Sequence, residues 1–133
     1  MADTIMEPVD LFARMLDSSK PEDDVIMGLF PTERPHKFGM VAFDADNQVQ
    51  HIIDKPRETD LTHMWGCIIW RPRFTYHLHE YISGKEITDF AVIMNKAIEA
   101  GMRFRSVRFD ESVYLDLGTY DEIIELESHF RAE

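Results

Sequence analysis

Apolar residues recur along this chain with two alternating periods. Near the start, Val9, Leu11, Phe12, Met15 and Leu16 fall at helical spacing, with Pro8 suited to a first turn and the stripe ending near Ser18 and Pro21. Val25 to Phe30 is a short apolar run between Asp23-Asp24 and Pro31, the mark of a buried strand. Gly39 to Phe43 and Val49 to Ile53 flank Asp44-Ala45-Asp46-Asn47, a hairpin signal that puts Val41 and Phe43 on one face; Pro56 ends the second strand. Trp65 to Trp70 predicts a further strand, and Pro72 opens a helix through Phe74, Leu78 and Tyr81 that stops at Gly84. Thr88 is placed to cap a helix carrying Ala91, Met94, Ala97 and Ile98, and Gly101 ends it. Phe104 to Phe109 alternates as a strand near a sheet edge, Val113 to Leu117 is a short strand, and Thr119 with Glu122 predicts a capping box before Ile123, Ile124, Leu126 and Phe130.

Strands and helices interleave and one hairpin is inserted, so the pattern predicts an α/β fold with a mixed sheet. No repeat or flexible linker divides residues 1–133, which read as a single domain. The six glycines are too scattered to form a phosphate-cradling loop. The chain also opens on a helix with no strand ahead of it, unlike a doubly wound fold.

Composition narrows the classes of function. At 44% apolar and 29% charged residues, the chain is of ordinary globular make-up. Its apolar runs are far below the roughly 20 residues of a membrane span, and we expect a cytoplasmic protein without a membrane partner. A formal net charge of −11 with no local Lys/Arg cluster argues against nucleic acid. A metal ion and a few placed cations would still admit an anionic substrate. The single cysteine, Cys67, lies in an apolar run and reads as a buried small hydrophobe.

Three segments carry candidate chemistry. In Tyr114-Leu115-Asp116-Leu117-Gly118-Thr119 a carboxylate closes a strand where α/β folds place ligands, and its hard oxygens suit Mg²⁺; it would equally well cap the turn. In Ile52-Ile53-Asp54-Lys55-Pro56 alternation sends Asp54 and Lys55 to opposite faces, one free to hold a hydroxyl and the other a phosphate, unless both are solvated charges beside a turn. The charged loop from Pro31 to Phe38 leads into a strand starting at Gly39, which allows a ligand close to the main chain or is a tolerated strand start. His77 and His79 diverge on a helix and read as surface residues, and the other histidines are isolated.

Taken in order, Asp3 to Pro8, Gly28 to Thr32, Lys37 to Val41, Ile53 to Pro56, Met64 to Gly66 and Tyr114 to Thr119 resemble the sugar-1-phosphate nucleotidyltransferases, the glucose-1-phosphate thymidylyltransferase-like family. Those enzymes join a sugar 1-phosphate to a nucleoside triphosphate and release pyrophosphate. The resemblance covers nearly the whole chain but only the C-terminal, sugar-binding half of such an enzyme. It implies an incomplete nucleotide-diphospho-sugar transferase fold, Rossmann-like, whose glycine-rich nucleotide-binding half is absent. It further implies that Gly39 contacts the sugar, Asp54 accepts its hydroxyl hydrogens, Lys55 pairs with its phosphate and Gly66 lines the pocket. Lys55 and Asp116 would be the catalytic residues, with Asp116 holding Mg²⁺ and Asp3 aligning with the second metal-binding aspartate.

Phe38 stands where the family carries tyrosine, and Asp54 where it carries glutamate, so sugar preference is expected to differ. As a truncated chain, the protein is expected to be inactive alone. The alternative is a non-catalytic sugar-phosphate-binding or interaction module that forms a homo-oligomer or docks on a complementary chain.

Overall fold

The computed structural model describes residues 4–83 and 89–132. Asp3, the expected helix stop at Gly84 and the expected cap at Thr88 lie outside the described residues. The elements are β1 (Thr4–Met6), α1 (Leu11–Ser18), β2 (Val25–Pro31), β3 (Gly39–Phe43), β4 (Val49–Asp54), β5 (His63–Trp70), α2 (Pro72–Ile82), α3 (Phe90–Glu99), β6 (Phe104–Arg108), β7 (Tyr114–Asp116) and α4 (Tyr120–Arg131), with one 3-10 turn at Pro35–Lys37. A five-stranded sheet runs β4-β3-β5-β2-β6, and a separate two-stranded ribbon pairs β1 with β7. Among the described residues only β2 and β6 are parallel and the other pairs are antiparallel, so the expected mixed sheet is present.

The central strand, β2, sorts its side chains by alternation. Val25, Met27 and Leu29 join Phe74, Met94, Ala97 and Phe104 on the face covered by α2 and α3. Ile26 and Phe30 turn to the other face and meet Leu11 and Met15 of α1. Gly28 lies on that second face, where a Cβ would come within 3.2 Å of the Met15 sulfur, so its bareness lets α1 approach. The result is three layers, with a helix on one side of the sheet and two on the other.

Turn chemistry fixes the hairpin. Asp44 Oδ1 accepts from the N–H groups of Asp46 and Gln48, and Asn47 takes the left-handed conformation at φ 62°. The hairpin tip folds back onto β6, where the N–H of Ser106 donates to Asn47 O at 2.7 Å and Gln48 bridges Arg105. Gly101, at φ +93°, ends α3 as expected. The described cap of α3 is Asp89, whose side chain accepts from the N–H groups of Ala91 and Val92. Both bonds of the Thr119–Glu122 capping box are formed at α4.

Three sequence expectations are corrected. The chain does not enter α1 without a strand: Thr4–Met6 forms β1, too short for periodicity to reveal and held by a partner more than 100 residues away. The apolar stripe around α1 is buried only at Leu11 and Met15, while Phe12 and Leu16 are exposed and Val9 precedes the helix. His77 is half-buried rather than fully exposed: its ring stacks against Phe74 and Tyr81, and Nε2 lies 3.4 Å from Ile93 O across the α2–α3 contact.

Candidate functional site

The candidate site grows outward from two aromatic rings. Tyr114, at the start of β7, packs 5.4 Å from the Phe30 ring, while Phe38 meets it edge-on at 5.9 Å. Gly66 is the extra residue of a bulge in β5, between the pairs Gly28–Cys67 and Leu29–Trp65. A Cβ there would sit 2.7 Å from the Tyr114 ring and 2.8 Å from Phe30, so this glycine is what allows the ribbon to lie against the sheet. Its neighbourhood is therefore aromatic packing beneath the cleft.

Two residues beyond Tyr114, Asp116 ends β7 on the wall of a cleft of about 270 Å³, together with Pro31, Thr32, Arg34, Phe38 and Glu122. Its Oδ1 accepts the N–H of Gly118 at 3.2 Å, the turn role that local sequence already allowed. Oδ2 has no hydrogen bond among the described residues. Glu122 faces the same cleft from α4, where it closes the capping box and meets Lys37 at 3.6 Å. The Thr119 hydroxyl, then burial offset by the Thr119 N–H and by Lys37, holds the Glu122 carboxyl below its usual range.

The β3–β4 pair carries the other candidates, Gly39, Asp54 and Lys55, none of which lines that cleft. Gly39 is directly opposite Asp54, and a Cβ on Gly39 would lie 2.9 Å from Cδ1 of Trp65. The glycine thus makes room for the indole, so close packing rather than ligand approach explains it in the free chain. Asp54 is the exposed last residue of β4. Lys55 does not continue the strand to the opposite face: its backbone is left-handed, at φ 46°, with its N–H donating to Phe38 O at 2.9 Å. Alternation therefore cannot assign its side chain. A non-glycine residue in this conformation costs free energy that the surrounding structure must offset, and such residues concentrate at functional sites.

Of the described candidates only Asp116 lines the cleft; the others lie near it through single contacts with Phe38, Tyr114 or their neighbours. Lys55 is bonded to Phe38, Gly39 follows Phe38 and faces Asp54, Gly66 underlies Tyr114, and Asp116 shares the cleft with Phe38. Among the described residues no hydrogen bond or ion pair joins Asp54, Lys55 and Asp116 side chain to side chain.

The donor set has the character a hard cation requires. Asp116 keeps one oxygen open, Glu33, Glu122 and Glu125 line the same cleft, and Thr4, the residue after Asp3, is the register partner of Asp116. Among the described residues no three His, Cys, Asp or Glu side chains converge as a metal cage. The open oxygen of Asp116 is of the kind Mg²⁺ takes, since that ion is commonly held by one or two carboxylates with waters and substrate phosphates completing the octahedron.

Sequence reasoning missed one further polar grouping. His63 Nε2 lies 2.6 Å from Asp110 Oδ1, and its Nδ1 lies 2.8 Å from the Thr62 hydroxyl. The histidine and the aspartate are 47 residues apart, and only the β2–β5–β6 topology brings them together. No helix among the described residues is long and apolar enough to cross a membrane.

Two solved structures share this fold. A Bacillus anthracis protein described as a glucose-1-phosphate thymidylyltransferase, solved with sucrose, matches with a TM-score of 0.74 at 16% identity over 95% of this chain and 50% of its own. The inositol-1-phosphate CTP transferase from T. maritima matches with a TM-score of 0.72 at 20% identity, over 95% of this chain and 52% of its own. The chain therefore spans about half the length of either structure. No curated protein matches it. The model of the nucleotidyl transferase family matches residues 2–133, and the chain belongs to that family.

Proposed function

We propose that this chain supplies the sugar-phosphate side of a nucleotidyl transfer, in which a sugar 1-phosphate attacks the α-phosphorus of a nucleoside triphosphate and pyrophosphate leaves. The observation that carries the reading is the family match across residues 2–133. Lys55 pairs with the sugar phosphate, helped by a backbone that lifts it off the strand. Asp54 accepts a sugar hydroxyl, and the main chain at Gly39 and Gly66 shapes the floor. Asp116, with Asp3, would hold Mg²⁺, which supplies charge neutralisation for the phosphates when bound. Such a reaction has no covalent enzyme intermediate and depends on positioning and on stabilising spreading negative charge.

The sequence contains no glycine-rich loop to grip a triphosphate. We therefore propose that, without such a loop from elsewhere, the chain binds sugar phosphate but turns over at a small residual rate. The test is calorimetric titration with glucose 1-phosphate, with and without Mg²⁺. Lys55→Ala should weaken binding about tenfold or more, as loss of a charge-assisted contact does, and Asp116→Asn should remove the Mg²⁺ dependence. Wild-type affinity in both variants would sink the assignment.

A second reading, an interaction module, is favoured by one observation. Phe12 and Leu16 on α1 and Ile123, Ile124 and Phe130 on α4 are each more than 40% exposed. Such surface favours association with a second copy or a complementary chain.

A further inference from the structure

Beneath the opposite end of β2 lies a second polar cavity that the proposed reaction does not use. It has a volume of about 200 Å³ and is lined by Lys20, Asp23, Asp46, Gln48, Arg103 and Arg105 among others. Asp23 lies two residues before β2 and Pro31 ends it, so the strand separates this cavity from the Asp116 cleft by roughly 20 Å. No charge cluster is visible in the sequence at these positions. The cations are assembled by the parallel β2–β6 pair, which sets the turn before β2 beside the start of β6.

The floor of the cavity has an unfilled hydrogen-bonding capacity. Asp23 is 1% exposed. Its Oδ2 accepts from the Lys20 N–H at 2.7 Å and from the Arg105 guanidinium, while Oδ1 is buried with no partner. A buried carboxylate oxygen left unpaired is costly, so Oδ1 is an acceptor waiting for a donor. Above it, the side chains of Lys20 and Arg103 make no hydrogen bond or ion pair among the described residues. Both are exposed and line the same cavity as Asp23 or its rim. Asp23 pairs with Arg105, and among the other charges lining the cavity Lys20 and Arg103 face Asp46, with Asp24 accepting the Arg103 N–H beside it.

An anion that also carries a proton satisfies both demands. We propose that this cavity is a binding site for hydrogen phosphate or a phosphate monoester bearing a hydroxyl, with Lys20, Arg103 and Arg105 holding the anion and Asp23 Oδ1 accepting its O–H. Sulfate has the same shape and charge but no proton to donate, so the carboxylate repels it.

The experiment is a backbone-amide NMR titration of the chain carrying Lys55→Ala, which weakens phosphate capture at the proposed sugar site. Inorganic phosphate should produce saturable shifts at Asp23, Asp24, Gln48 and Arg103 to Arg105. Sodium sulfate at equal ionic strength should bind at least tenfold more weakly, and Arg103→Ala or Lys20→Ala should each weaken phosphate about tenfold. Both variants alter exposed side chains, and an unchanged spectrum away from the cavity verifies their fold. Equal shifts with sulfate, shifts confined to Phe38 and its neighbours, or full affinity in Arg103→Ala would overturn the proposal.

Discussion

Gly66 and Cys67 are adjacent on β5 and fail in different ways. Gly66→Ala drives a methyl into the Tyr114 and Phe30 rings at 2.7 and 2.8 Å. The expected cost is about 1–3 kcal/mol of stability, as for overpacking elsewhere, read as a lowered urea midpoint. Because Tyr114 seats β7, the same variant should also broaden the Asp116 amide resonance. Cys67 touches the Met15 sulfur at 3.5 Å, and burial pushes its thiol up to about 11, against a smaller opposing pull from the backbone at Gly28. Its folded-state value lies above the unfolded value of 9.0, so stability is unaffected well below pH 9 and declines as pH rises from 9 toward 11. At pH 8, Ellman's reagent should react with the native thiol orders of magnitude more slowly than with the urea-unfolded chain; equal rates would contradict its burial.

At the scale of elements, α4 depends on its cap. It has no buried residue, yet its Thr119–Glu122 box is complete and Lys37 adds a tether from the 3-10 turn. Thr119→Ala should cost about 1 kcal/mol, the usual price of an N-cap, and should collapse hydrogen-exchange protection in α4 before any other helix. The Glu122 carboxyl titrates below its unfolded value, so its contribution is present above pH 4.5 and disappears as pH falls through the lower folded value. Helicity measured by circular dichroism should therefore fall earlier in acid than in Glu122→Gln relative to its own neutral-pH baseline.

This box was legible before any coordinates, since both partners lie within one turn. Strands β2 to β6 were legible for a similar reason: each carries its own period and turn residues. β1 was not, because three residues hold no period and its partner is remote. The candidate site divides in the same way. Asp116 and Gly39 are marked by position in their elements, whereas the left-handed backbone of Lys55, the His63–Asp110 contact and the cavity over Asp23 exist only once distant segments meet.

For the molecule as a whole, the two sides of the sheet are unequally finished. Helices α2 and α3 cover one side with a continuous cluster that includes Phe74, Met94 and Ala97. On the other side α1 buries two residues and leaves Phe12 and Leu16 outward, while α4 presents Ile123, Ile124 and Phe130 to solvent. Sedimentation velocity should show concentration-dependent association at micromolar levels. The double change Phe12→Ser with Ile124→Ser should return the chain to a monomer with its fold retained, because neither residue is part of the core. A monodisperse monomer in the unaltered chain at high concentration would contradict the interaction-module reading.

The β1–β7 ribbon shares no ladder with the main sheet; Tyr114, wedged against Phe30 and Phe38, is its principal anchor. Met6 packs the other strand of the ribbon onto the same core cluster. Under the role proposed for Asp116, a change in how Tyr114 and Met6 seat the ribbon would reach the carboxylate without breaking any ladder of the five-stranded sheet.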